Sequence, residues 1–365
     1  MAEIKLETVA KTFGAFAAVK GVNFTVDHGS FFVILGPSGC GKTTTLRMIA
    51  GLELPTSGRI LLDGEDVSAL RASARDIAFV FQLFALYPHM NVRQNIGFPL
   101  RCQNYSRAEI TKSVEETAKL LRIDHLLERR VGGLSGGDRQ RVALGRAIVR
   151  RPKAFLMDEP LGALDSEFRR LMCGELRELH DRIDATTVYI THDQLEAMAM
   201  ADRIAIMNQG RVEQIGTPQE IYDRPNTMFV ADFIGAPPMS FLNVQASLQR
   251  GDCNIKIDGI AVEMPEVLAD RAEGRLALGV RPENVSFADS SPLRGRVIGA
   301  EYLGTTQIVT VTTANGQVKA RLSSGQAVQV GESVGLALRP DRLSLFDAMS
   351  GRALSSTLHT GGNHG

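Results

Sequence analysis

The eight residues Gly36-Pro37-Ser38-Gly39-Cys40-Gly41-Lys42-Thr43 constrain this chain more than any other stretch. They match G-x-x-x-x-G-K-[ST], a pattern whose glycines let the backbone curl until successive N–H groups point inward at phosphate oxygens. An apolar run, Phe31 to Leu35, precedes them, and a helical segment from Lys42 to about Ala50 follows. A glycine-rich turn that matched by chance would lack this strand–loop–helix setting. The helix also adds the positive end of its dipole. Gly36 through Thr43, together with Thr44, are therefore the expected contacts of a nucleoside triphosphate. Lys42 is placed to reach its β- and γ-phosphates, and Thr43 to ligate Mg²⁺.

The bulk numbers bound the rest. A length of 365 residues allows two domains with proper cores, or three. Lys plus Arg, 41, equals Asp plus Glu, 41, so net charge offers no argument for nucleic-acid binding. No apolar run near a motif approaches the ~18 residues of a membrane span. Met1 to Glu7 has no signal-peptide core. Cys40, Cys102, Cys173 and Cys253 are scattered, with no metal-ligand spacing. These features together read as a reduced cytoplasmic protein.

The first two-thirds reads as α/β. Phe31–Leu35, Ala154–Met157 and Thr187–Thr191 are short apolar runs of the kind buried on both faces of a parallel sheet. From Asp165 to Ile183, apolar residues at Phe168, Leu171, Met172, Leu176, Leu179 and Ile183 predict a one-sided helix capped by Asp165 or Ser166. A more helical insertion spans roughly Leu83 to Arg150. Within it, Ser106 with Glu109 three residues on predicts a capping box. Gly235-Ala236-Pro237-Pro238 reads as a hinge, giving domains 1–235 and 236–365. Beyond it the chain is β-rich: Thr306 to Thr312 alternates at period two, and Asn315-Gly316 predicts a hairpin turn. The tail from Ser355 is expected to fray. No internal repeat is visible.

Acidic residues stand where a parallel sheet would present them to a ligand. Asp158 ends the run Ala154–Met157 and fits a Mg²⁺-holding carboxylate, and Glu159 follows, placed to activate an attacking water. The alternative, that both merely cap the next helix, is opposed by Pro160 and the residues to Asp165. His192 follows another apolar strand; its position favours contact with the γ-phosphate or the attacking water over a structural role. Gln82 closes the apolar run through Phe81 and fits a residue sensing Mg²⁺ and that water.

Taken in order, Gly36–Thr43, Gln82, Leu134-Ser135-Gly136-Gly137-Asp138-Arg139-Gln140, Asp158-Glu159, Leu164-Asp165 and His192 resemble the phosphate loop, Q-loop, signature, Walker B, D-loop and H-loop of ABC ATPases. The resemblance implies a P-loop ATPase core, RecA-like, with a helical subdomain and an antiparallel β part. Phe13 occupies the place of the family's adenine-stacking aromatic; the alternative is a core residue of the first strand. Val80-Phe81-Gln82, Ala85 to Met90, Thr191 to Met198 and Phe233-Ile234-Gly235 resemble the maltose-importer type. Gly279 to Glu283 and Leu338 to Arg342 look like its regulatory domain of small OB-like barrels.

The family's mechanism is then expected here. Ser135, Gly136, Gly137 and Asp138, leading into a helix expected from about Asp138 to Val149, would meet the nucleotide of a partner subunit in a head-to-tail dimer that ATP closes and hydrolysis reopens. With no span on the chain, the resemblance implies two membrane permease subunits, a separate solute-binding protein and a peripheral place on the cytoplasmic face of the inner membrane. Gln82 to Tyr105 is a candidate docking surface, unless Phe84, Tyr87 and Phe98 simply fill the helical core. A sugar or glycerol phosphate leads as cargo, with polyamines or inorganic ions behind it. A soluble ABC ATPase of translation or repair would carry a second cassette or a coiled-coil insertion, and neither is visible. A nucleic-acid-binding C-terminal OB fold is opposed by zero net charge and few aromatics. One departure stands out: Asp138 replaces the family's Gln.

Overall fold

In the computed structural model, which describes residues 2–81, 85–162, 165–183 and 185–359 (the Phe168 side chain excepted), the apolar runs form the middle of a parallel sheet. The chain divides into two units, Met1–Pro218 and Gln219–Gly365. The first opens with β1 (Ile4–Phe13), β2 (Phe16–Val26), β3 (Phe31–Leu35), α1 (Lys42–Ala50), β4 (Ser57–Leu62), β5 (Glu65–Asp66) and β6 (Ile77–Val80). A helical stretch follows, α2 (Val92–Cys102), α3 (Arg107–Leu120) and α4 (Gly136–Ile148). The unit closes with β7 (Ala154–Asp158), α5 (Ser166–Ile183), β8 (Thr186–Thr191), α6 (Gln194–Met200), β9 (Arg203–Asn208) and β10 (Arg211–Gly216).

The strand order β10-β9-β3-β8-β7-β6 explains why a site exists here. β9, β3, β8, β7 and β6 run parallel, with β10 antiparallel at one edge. The carboxyl ends of β3, β7 and β8 therefore lie side by side, at the crevice where open α/β sheets bind ligands. β3 and β8 are buried along their whole length, as strands covered on both faces must be. A separate sheet, β2-β1-β4-β5, is antiparallel.

The helices follow their local signals with one exchange. Ser106 caps α3: its Oγ accepts from the Glu109 N–H at 3.3 Å, while Glu109 Oε2 accepts from the Ser106 N–H at 2.9 Å. On α5, Met172, Leu176 and Leu179 are buried as expected, but Leu171 is exposed and Cys173 and His180 are buried instead. The reason is rotation: residues 172, 173, 176, 179 and 180 fall on one helical stripe, and 171 lies about 80° outside its edge.

The second unit carries α7 (Pro218–Asp223) and α8 (Met228–Phe233) at its start. Then come β11 (Ser240–Leu248), β12 (Asn254–Ile257), β13 (Ile260–Glu263), β14 (Arg271–Val280), β15 (Val285–Phe287), β16 (Arg294–Tyr302), β17 (Thr306–Thr313), β18 (Gly316–Ser323), β19 (Ser333–Leu338) and β20 (Ser344–Asp347). They form the sheets β11-β14-β20 and β15-β19-β16-β17-β18 and the hairpin β12-β13, around an apolar core that includes Leu242, Leu278, Val309 and Leu345, with a smaller cluster of Ala231, Met239, Ala277 and Phe346.

Here the structure departs from the sequence reading in three places. The division falls at 218, upstream of Gly235, because residues 222–236 are pinned inside the second unit. The buried Arg281 guanidinium donates to the carbonyls of Ala231, Ile234 and Tyr222, and Arg321 donates to Ala236 O. The turn between β17 and β18 is Ala314-Asn315, with Gly316 already paired to Thr313. Asn315 reaches back instead to the Asn243 carbonyl at 3.0 Å. The tail is packed as far as described: Ser356 is buried and bridges Val267, and Thr357 N–H donates to Glu266 O at 2.9 Å.

Candidate active site

The loop after β3 is shaped by contacts only glycine permits. A Cβ on Gly36 would stand 2.2 Å from Met207 O, and one on Gly41 (φ +105°) would stand 2.6 Å from Ala18 O. The loop is thus clamped between β2 and β9, and its curvature is set by packing rather than by a ligand. Gly41 is the N-cap of α1, with no side-chain cap and no acidic residue in the first turn. Such a terminus leaves N–H donors and positive dipole for an anion. Lys42 is buried, its Nζ donating to the carbonyls of Gly36 at 2.8 Å and Pro37 at 3.1 Å. Among the described residues these neutral carbonyls and the Cys40 thiol, 4.0 Å away, are its hydrogen-bond partners, so the ammonium is a charge in need of a counter-ion, and the donor set suits a polyphosphate. Cys40 is buried beside it, and burial pushes its thiol pKa up.

The two neighbouring strands deliver the acids. Thr43 Oγ1 donates to Asp158 Oδ1 at 3.3 Å, joining the start of α1 to the end of β7. Burial raises the Asp158 pKa, and Glu159 adds to this, against the Thr43 hydrogen bond, Lys42 and Arg47. A hydroxyl and a partly desolvated carboxylate together form an oxygen pair that fits a hard divalent cation, which would supply the missing positive charge.

Glu159 adopts φ +45°, a left-handed conformation that costs a non-glycine residue about 1–3 kcal/mol. Its N–H donates to Ile190 O at 3.1 Å, stitching the end of β7 to β8. The Glu159 carboxylate faces His192, whose Nδ1 lies 3.3 Å from Glu159 Oε2. The structure therefore gathers Lys42, Thr43, Asp158, Glu159 and His192 in one crevice, although up to 150 residues separate them along the chain. Gln82, Phe84 and Leu164 lie outside the described residues.

Ser135 to Asp138 form a second polar feature, at the N-terminus of α4. Ser135 is the N-cap, accepting from the Asp138 N–H at 3.2 Å, while its hydroxyl donates to Asp138 Oδ2 at 2.7 Å. The helix starts at Gly136, two residues before the position read from sequence. Phe13 sits at the tip of the β1–β2 hairpin, 48% exposed, with Lys11 Nζ 5.0 Å from its ring centre. A core role is thereby excluded. Its direct cross-strand partner Phe16, 64% exposed, belongs to no sequence motif and is placed beside it by the hairpin register alone. In the docking segment, Tyr87 packs on Phe98 with ring centres 4.6 Å apart, and Arg146 lies 5.2 Å over the Tyr87 ring.

Sequence reasoning also missed the groups behind His192. Asp193 caps α6, Glu196 is buried, and Arg169 of α5 faces both. A buried Glu one turn into a short helix was the available signal, since such a residue requires a partner.

Comparison with known proteins agrees with this geometry. Residues 19–162 match the ABC transporter family model, and residues 278–346 match the TOBE domain, an OB-like fold. The chain is 43% identical to the sulfoquinovosyl glycerol transport ATP-binding protein SmoE of Agrobacterium fabrum, over 97% of this chain and 100% of that protein. It is likewise 43% identical to the trehalose import ATP-binding protein SugC of Mycobacterium tuberculosis, covering 97% and 99%. The sn-glycerol-3-phosphate import ATP-binding protein UgpC of Chromobacterium violaceum is 43% identical, covering 97% and 96%. Among solved structures, cbiO1 of Clostridium perfringens, part of the ABC transporter complex cbiONQ, matches with TM-score 0.57 and 30% identity, over 60% of this chain and 89% of that one. The dimeric ATP-binding cassette MJ0796 bound to ADP and Pi matches with TM-score 0.53 and 33% identity, over 59% and 98%. Likeness along the whole chain, together with a phosphate loop, paired acids and a histidine in one crevice, carries the conclusion: this chain belongs to the ABC transporter family, among the ATP-hydrolysing subunits of importers.

Proposed function

We propose that this subunit energises uptake of a sugar or glycerol phosphate, working as a head-to-tail pair with two membrane permease subunits and a separate solute-binding protein, on the cytoplasmic face of the inner membrane. The observation that carries the reading is end-to-end likeness to two ATP-binding proteins named for import of trehalose and sn-glycerol 3-phosphate and a third named for transport of sulfoquinovosyl glycerol. The dimeric solved cassette supports the pairing. Among the described residues no helix is long and apolar enough to cross a membrane, in keeping with separate permease chains.

In this reading Gly36 to Thr44 wrap the phosphates of ATP, and Lys42 exchanges its loop carbonyls for β- and γ-phosphate oxygens. Phe13 stacks on adenine. Thr43, Asp158 and Gln82 would hold Mg²⁺, which when bound would supply positive charge beside the phosphoryl oxygens. Glu159 takes the proton of the attacking water on its carboxylate, while His192 holds that carboxylate in place. Ser135, Gly136, Gly137 and Asp138 offer an anion-binding helix terminus to the partner's nucleotide. Gln82 has its role from the sequence reading alone.

Replacing Glu159 with Gln keeps the shape and removes the base. The full chain should then still bind ATP but release phosphate at least about a hundredfold more slowly. Hydrolysis at the wild-type rate would sink the assignment. Growth of a deletion strain on single carbon sources tests the cargo; normal growth on every sugar and on glycerol phosphate would reject it.

A further inference from the structure

His192 is 56% exposed, so packing does not fix its ring against Glu159. Its orientation has to come from the backbone on either side, and that backbone is held by a polar network. Thr191 Oγ1 accepts from the Asp193 N–H at 2.9 Å, spanning His192 itself. Asp193 divides its oxygens: Oδ1 accepts from the N–H groups of Leu195 at 2.8 Å and Glu196 at 3.4 Å, and Oδ2 accepts from Arg169 at 3.0 Å. Arg169 Nε stands 3.5 Å from Glu196 Oε1. Glu196 is only 4% exposed and accepts from the buried Tyr189 hydroxyl at 2.7 Å. Burial raises the Glu196 pKa, opposed by hydrogen bonds from Thr191 and Tyr189 and by Arg169.

A buried carboxylate is an expensive way to fill space. Leu at 196 would pack more cheaply, so the acid needs a reason. Its partner Arg169 is the one guanidinium in contact with both Asp193 and Glu196 among the described residues, and it sits on α5, a different element from the turn it braces. Arg169 therefore ties α5 to the turn that carries His192.

We propose that Arg169 is a positioning residue for His192, acting through Asp193 and Glu196 to hold the imidazole on the Glu159 carboxylate. The inference rests on the hydrolytic reading of Glu159 and His192 given above. It differs from a purely structural ion pair in where the loss should appear. In this reading Arg169 acts on hydrolysis through Asp193 and Glu196 and holds no part of the nucleotide, so its removal should lower kcat and spare KM for ATP.

The test is steady-state ATP hydrolysis by the full chain, with Arg169→Met, Arg169→Lys, His192→Ala and the double variant Arg169→Met/His192→Ala. Arg169→Met should lower kcat about tenfold with KM within about twofold, and Arg169→Lys should regain most of the loss. In the His192→Ala background the same change should cost nothing further beyond about twofold, because it acts through a ring no longer there. Asp193→Asn, which keeps the cap acceptor and drops the charge facing Arg169, should repeat the pattern if Arg169→Met folds poorly. A tenfold loss repeated in the His192→Ala background would overturn the Arg169 assignment alone. Unimpaired turnover in His192→Ala would overturn the role of His192 and this inference with it.

Discussion

The hydroxyl of Ser135 donates to the carboxylate of Asp138 at 2.7 Å while accepting from the Asp138 N–H at 3.2 Å, so the two residues close a ring at the N-terminus of α4. In the proposed dimer that hydroxyl is wanted by the partner's nucleotide, and here it is already committed to a carboxylate. Asp138 also places negative charge beside an anion site. Asp138→Gln removes both obstacles while retaining a group that caps the helix. ATP-dependent dimerisation, read by light scattering, and steady-state ATPase should each rise about threefold or more, the worth of one hydrogen bond. A less active Gln variant would mean that Asp138 is an adaptation to this chain's own partner surface.

The hairpin tip bears a prediction about the base. Phe13 and Phe16 are directly opposed in register, on one face of a two-stranded tip, and both are exposed. Stacking on an aromatic is worth roughly 1–3 kcal/mol per base. Phe13→Ala should therefore weaken ATP and ADP binding alike by tenfold or more on that scale, while Phe13→Tyr stays close to wild type. Equal affinity of the Ala variant, measured with a fluorescent nucleotide, would move adenine elsewhere.

Arg75 makes a stability prediction. It is fully buried and donates to the carbonyls of Met48 at 2.6 Å, Ile49 at 2.8 Å, Leu70 at 3.0 Å and Ser68 at 3.2 Å. The first two lie in the last turn of α1, where a cation meets the negative end of the dipole. Gly51 is left-handed beside it, and a Cβ there would stand 2.6 Å from Arg75 Nε. Arg75→Met strands those carbonyls and should destabilise the first unit by about 3 kcal/mol. Urea unfolding checks this; a loss well under about 1 kcal/mol would show that water replaces the guanidinium.

His180 predicts a pH dependence. Its Nε2 faces the Gly29 carbonyl at 3.1 Å, so the proton sits there, and Nδ1 accepts from Thr187 Oγ1 at 3.0 Å. Burial lowers its pKa, helped by Arg177 and opposed by Asp202 and Asp181. The unfolded chain binds this proton first, at about 6.5. The stability is thus fully present above that value and is lost as pH falls from there through the lower folded pKa. The urea midpoint should drop more steeply between pH 7 and 5 in wild type than in His180→Gln. Identical slopes would remove His180 from the account.

Much of the site was legible because its chemistry is local in sequence. Phosphate binding needs glycines, Lys42 and Thr43 in one loop between a strand and a helix, and that spacing survives any reading of the rest. Asp158 and Glu159 were legible for a related reason, since an apolar run ends in acids at the point where a parallel strand meets its ligand. Capping at Ser106 followed from two residues three apart.

What the sequence could not supply was the meeting of distant elements. That β8 lies between β3 and β7 brings His192 within 3.3 Å of Glu159, and only the strand order decides it. The Leu171 exchange on α5 depended on rotation about the helix axis, and the pinning of residues 222–236 depended on Arg281, far along the chain. The bracing of His192 by Arg169 has the same origin: two charges on different elements acquire meaning when burial of Glu196 forces them to pair. Local backbone chemistry set the phosphate loop and its caps; long-range burial, which no short window of residues contains, decided which acid faces which base.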